Sequence, residues 1–143
     1  MSRYIPAMTR EMVAHRAENR CEYCLFPQDA SFLAFEMEHI IAEKHGGSSD
    51  TDNLALACPY CNRNKGSDLG SLDPTTGQLT PFFNPRTQRW RDHFTLNGAE
   101  IIALTPEGRV TERILQLNDP DRLPERQGLA RMGTLLVPTD PER

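Results

Sequence analysis

Four cysteines constrain this chain more than any other feature. They stand at 21, 24, 58 and 61, as two Cys-x-x-Cys pairs with 33 residues between them (58 − 24 − 1). Paired thiols at two-residue spacing suit a closed tetrahedral metal site, with all four positions filled and none left for water. Two disulfides or a redox pair are the alternatives. The opening Met-Ser-Arg-Tyr-Ile-Pro carries no apolar signal-peptide core, and no apolar run approaches the roughly 20 residues that span a bilayer. Both lead to a cytoplasmic expectation with no membrane partner, a reducing setting that favours metal over disulfides. Zn2+ is then a structural clamp tying the Cys21 knuckle to a helix at Cys58.

A clamp of this kind needs only a modest core, which 143 residues supply. Thr9 is placed to cap a helix running to about Asn19, with Met12, Val13 and Ala17 as its apolar stripe. Asn19 suits a left-handed helix end. Residues 32–41 are aromatic and β-branched and read as extended. A Gly-rich loop over 45–50, a second strand at Leu54–Ala57 and a short helix from Pro59 to Gly66 follow. Residues 67–87 read as an irregular connection. Phe94 to Leu104 reads as a hairpin turned at Asn97-Gly98. Thr105-Pro106 then opens a helix with Val110, Ile114 and Leu117 on one face. The tail from Asn118 holds four prolines and reads as fraying at its end.

The chemistry-bearing residues fall between and just after the cysteine pairs. Glu38 and His39 are neighbours. On a regular strand they point to opposite faces, so sharing one site demands an irregular backbone. Asn53 suits a turn and is expected to hold the loop that positions His39. On the helix after Pro59, Asn62 lies about 100° round from Cys61 and offers a neutral oxygen to a hard cation. Lys65 shares roughly its face and, with Arg63, is a candidate for phosphate. Arg86, Arg89 and Arg91 crowd a later segment and form a second candidate phosphate patch. Trp90 and Phe94, four apart, read as a packed core pair.

Net charge argues the other way. It is −4, with 7 Lys/Arg against 10 Asp/Glu in residues 1–70 and 9 against 10 in 71–143. Nucleic-acid binders are usually basic, so attraction to phosphate must come from a local patch and bound metal.

Taken in order, Cys-x-x-Cys, Glu38-His39-Ile40-Ile41, His45-Gly46-Gly47 and Asp52-Asn53-Leu54-Ala55-Leu56-Ala57-Cys58-x-x-Cys61-Asn62-x-x-Lys65-Gly66 resemble the HNH endonucleases in their four-cysteine branch. The resemblance covers about residues 9–66. It implies an α+β chain with a ββα-metal core and a structural zinc, flanked by an N-terminal helix and a C-terminal hairpin-plus-helix extension. Residues 1–70 are expected to hold the core and 71–143 the extension, packed as one domain. By position, His39 matches the family's general base and Asn53 its central Asn. Glu38 matches the acidic metal ligand before the base. Asn62 stands where the final His is usual, an H-N-N variant also found in the HNH domain of RNA-guided nucleases. Amide for imidazole favours Mg2+ or Mn2+ at the catalytic position. Residues 81–118 also resemble the extension of some stand-alone bacterial HNH proteins. The resemblance implies a metal-dependent endonuclease acting on nucleic acid, DNA first. A non-catalytic, zinc-stabilised nucleic-acid-binding or protein-interaction module is the alternative.

Overall fold

The computed structural model describes residues 4–138. The expected frayed end falls in residues 139–143, outside the described residues. Helix α1 spans Ala7–Arg16 and starts after Pro6, with no side-chain cap. Thr9 therefore does not cap it but lies inside it. Pro6 supplies the start instead, its fixed φ placing the chain at the helix entry. Only Val13 of the helix is fully buried, while Met12 is exposed. The stripe is narrower than expected because α1 leans on the rest of the protein along one line. Glu18 and Asn19 both take left-handed φ, 54° and 58°, and turn the chain into the knuckle.

Strand β1, Glu36–His39, pairs antiparallel with β2, Leu54–Ala57, in continuous register: Glu38 lies opposite Ala55 and His39 opposite Leu54. The extended reading of 32–41 overshoots, since a short 3-10 turn at Gln28–Ala30 and irregular chain precede the strand. Every residue of β2 is buried, which explains its unbroken Leu-Ala-Leu-Ala run. Helix α2, Pro59–Lys65, follows at once, with Pro at its start and the Cys58 sulfur accepting from the Cys61 amide. The strand pair and α2 make the ββα unit, and the chain is α+β.

The 67–87 connection is not irregular throughout. Gly70–Leu72 (β3) and Leu79–Pro81 (β4) form a small hairpin. Their three-residue length and polar flanks gave no alternation to read. The later hairpin is as expected: β5, Phe94–Asn97, and β6, Glu100–Ala103, turn at Gly98 with φ 63°. One turn of helix, α3 at Trp90–His93, leads into it. Helix α4, Pro106–Leu115, is capped by the Thr105 hydroxyl accepting from Gly108 N–H at 3.0 Å. Leu117 is buried but lies past the helix, beyond a left-handed Gln116. The proline-bearing tail also holds a helix that its pattern did not announce, α5, Leu123–Arg131, with Pro124 in its first turn, where a missing N–H costs nothing.

A single buried cluster runs from Ile5 through the cysteines, β2, Phe82, Phe83 and Trp90 to Leu117. No helix among the described residues is long and apolar enough to cross a membrane.

Candidate metal and catalytic site

The four cysteine sulfurs lie within 4.8 Å of one another and all four residues are buried. None is in a disulfide. Cys24 and Cys58 sulfurs are 3.6 Å apart, close to the edge of a tetrahedron built on Zn–S bonds of about 2.3 Å. The first pair sits on a tiny loop closed by Cys21 N–H to the Phe26 carbonyl (2.9 Å) and Leu25 N–H to the Cys21 carbonyl (3.0 Å). Leu25 takes φ 69° there. The second pair sits at the start of α2. Amides of Cys24 and Cys61 point at the sulfurs of Cys21 and Cys58, at 3.5 and 3.4 Å. Burial pushes the Cys21 and Cys61 thiols up. The surrounding thiols, Cys21 first, hold Cys24 well below its ordinary value. A divalent ion removes this conflict by taking all four as thiolates. The net charge of such a centre is negative, and Arg122 answers it, with Nη2 at 3.2 Å from Cys61 Sγ and 3.5 Å from Cys58 Sγ. The donor set fits zinc.

His39 ends β1 with its side chain 16% exposed. Its Nε2 lies 3.0 Å from Ser49 Oγ and 3.5 Å from Glu43 Oε1. Neither partner was singled out from sequence. Glu43 follows four residues after His39, but in a short 3-10 turn rather than an α-helix, so no periodic rule links them. Ser49 sits in a loop whose path only the fold sets.

Asn53 fixes that path. Its side chain accepts from Ile41 N–H (2.9 Å) and donates to the carbonyls of Ile41 (2.9 Å) and Ser48 (2.7 Å). Three bonds from one amide tie both ends of the His39 loop together. Gly47 is pressed against the same knot. A Cβ there would stand 1.7 Å from the Ile41 carbonyl oxygen, so only glycine fits.

Glu38 does not join His39. The register through 38 and 39 is regular, with no bulge, so the two side chains leave opposite faces of β1. Glu38 is 2% exposed; Oε2 accepts from Lys65 Nζ at 2.8 Å and Oε1 from the Tyr23 hydroxyl. Burial pushes its carboxyl up, partly offset by the Lys65 charge. As placed, it presents no free oxygen to an ion. Lys65 is corrected likewise. It is 2% exposed, and its ammonium also donates to the Ile40 carbonyl at 2.8 Å, so it reaches no phosphate. A lysine at the end of a helix reads as surface from sequence. Here its long stem crosses under the strand pair to a buried carboxylate.

Asn62 is half-buried on α2 and its side chain has no described partner. Arg63 is exposed and lies over the Tyr60 ring at 5.6 Å. The side chain of Arg86 is 11% exposed, bonded to Glu22 and to the Leu54 carbonyl. With Arg16, which reaches the same carbonyl at 2.8 Å, it covers the outer edge of β2, so it is a structural cap before it is a phosphate contact. Arg89 is exposed just ahead of α3.

Among known proteins, the family model described as HNH endonuclease matches residues 21–68. That span contains all four cysteines, His39, Asn53 and Asn62. Neither the curated proteins nor the solved structures offer a match.

Proposed function

From a chain whose residues 21–68 match the HNH endonucleases, we propose a metal-dependent nuclease that hydrolyses phosphodiester bonds, with DNA as substrate and His39 as general base. One observation carries this reading. His39 stands at the end of a strand, within reach of solvent, on a loop that Asn53 ties at both ends. A base held in this way meets the geometric demand of proton transfer from water. The Ser49 hydroxyl and the Glu43 carboxylate, 3.0 and 3.5 Å from Nε2, set the ring's direction. Asn62 is the residue that would offer an oxygen to Mg2+ or Mn2+, whose role when bound is to neutralise charge on the phosphate. Glu38 does not fit that task while Tyr23 and Lys65 hold it. This sequestration favours a second reading, a zinc-stabilised fold that binds nucleic acid without cutting it.

Plasmid nicking with added Mg2+ or Mn2+ separates the two. His39→Ala is expected to lower cleavage by roughly two to four orders of magnitude with zinc content and fold unchanged. Asn62→Ala is expected to raise the divalent-ion concentration needed for half-maximal cutting. Wild-type cleavage by the His39→Ala protein removes His39 as base. A wild type inert with every divalent ion, yet binding DNA, selects the binding module.

A further inference from the structure

On the nuclease reading above, the nucleic-acid strand must be held away from the reacting bond as well as at it. Beside His39 an exposed Lys44 stands in the turn of Glu43, but Lys65 is buried and the chain is acidic overall, so a strand needs a further cationic grip. The opposite edge of β2 supplies one. A cleft of about 950 Å³ opens there between the end of α1 and the 83–91 segment. Its walls bring together four arginines from distant parts of the chain, Arg16, Arg20, Arg86 and Arg91.

Three observations mark it as an anion site. First, Arg16 and Arg86 converge on one acceptor, the Leu54 carbonyl, at 2.8 and 3.2 Å. Two like charges brought this close favour an anion beside them, and Glu22 answers only one of the two by an ion pair, through Arg86. Second, the guanidiniums are not all satisfied. Arg86 is paired with Glu22 and Arg20 with Glu18, but Arg16 bonds only the Thr51 and Leu54 carbonyls, both through Nη2. Exposed Arg91 has no side-chain partner among the described residues. Asp52 is the one remaining carboxylate of the lining. Third, the cleft adjoins the loop of the candidate active site. Thr51 and Asp52 line it and share a turn with Asn53, and Leu54, whose carbonyl Arg16 and Arg86 hold, is the register partner of His39.

We propose that this cleft grips the phosphate backbone of the nucleic-acid strand, with exposed Arg91 and the uncommitted Nε and Nη1 of Arg16 as its donors and Arg20 and Arg86 as its charged walls. The chain then places its positive charge locally, and a negative net charge is no obstacle to binding.

The test is fluorescence anisotropy with a labelled 20-nucleotide DNA, single-stranded and duplex, across a salt series. The proteins are wild type, the pair Arg16→Gln/Arg91→Gln, and Arg113→Gln as a control on the exposed face of α4. The pair is expected to raise Kd about tenfold or more at 0.1 M salt and to flatten the salt slope by about 1 to 2, while Arg113→Gln changes neither. Should the pair lower the thermal midpoint, Arg91→Glu alone carries the test, because that side chain bonds none of the described residues. Wild-type Kd and slope in both Arg91 variants overturn the proposal. So does saturable binding of pyrophosphate by wild type with no binding of the strands, which assigns the cleft to a free phosphate. A wild type that holds DNA through these arginines but never cuts it removes the nuclease reading alone.

Discussion

At the scale of single residues, the buried pair of Glu38 and Lys65 governs what the site offers. Both are 2% exposed and joined at 2.8 Å, with Tyr23 and the His39 and Ile40 carbonyls completing the network. Charges this deep are tolerated only in company, so removing one partner is far worse than removing both. Lys65→Met is expected to destabilise the fold by about 3 to 5 kcal/mol, read by urea denaturation, and Glu38→Leu/Lys65→Met to recover much of that loss. If Lys65→Met left stability untouched and weakened DNA binding instead, the lysine would be a phosphate contact after all. The pair also shows where sequence reading stops. Adjacent Glu38 and His39 look like one constellation on paper. The regular register of β1 sends them to opposite faces.

At the scale of elements, the two Cys-x-x-Cys turns act as one device. A knuckle after α1 and the first turn of α2 each aim two sulfurs at a common centre, so one ion joins two stretches of chain far apart in sequence. Metal binding therefore supplies folding free energy directly, about 10 kcal/mol or more for a structural zinc. One tightly bound zinc per chain is expected by metal analysis. Cys58→Ser or a strong chelator is expected to abolish the cooperative thermal transition followed by circular dichroism. Freshly purified protein with paired, oxidised cysteines and no metal would contradict this. The elements that sequence pattern missed, β3, β4 and α5, are short or carry proline. β3 and β4 pack on α4, and α5 is held by Arg126 on the Ala99 and Leu117 carbonyls, rather than by local preference.

At the scale of the whole molecule, the extension is tied to the metal-bearing part by specific bonds. Trp90 Nε1 donates to the Tyr23 carbonyl at 3.0 Å, inside the knuckle, and its ring lies 5.1 Å from Phe94. Arg126, 1% exposed, donates to Ala99 and Leu117 carbonyls and locks α5 onto the β5–β6 turn. Arg109 grips buried Asp73 through two bonds, at 2.8 and 2.9 Å, joining α4 to the β3–β4 hairpin. Arg109 holds the Asp73 carboxyl well below the usual carboxylate range. The folded pKa is depressed, so the stabilisation is full above the unfolded value near 4 and is lost as pH falls below it. Arg109→Met is expected to lower stability at pH 7 and to flatten its decline between about pH 4 and pH 2, by denaturation at each pH. An unchanged acid slope would mean other carboxylates set it.

The sequence by itself determined what local chemistry can dictate. Cysteine spacing announced the metal centre, Asn97-Gly98 the hairpin turn, and Thr105-Pro106 the start of α4, because each needs only neighbours along the chain. Asn53 was legible as a turn-former for the same reason. Tertiary structure alone decided which charges stay wet. Lys65, Arg86 and Arg126 look alike in sequence as surface cations. One pairs with a buried carboxylate, one caps a strand edge, and one is sealed under a helix. It also brought Arg16 and Arg86, 70 residues apart, to a single carbonyl. A long cationic side chain has no local preference strong enough to fix where its end lies. That is settled by whichever acceptors the folded chain places within reach.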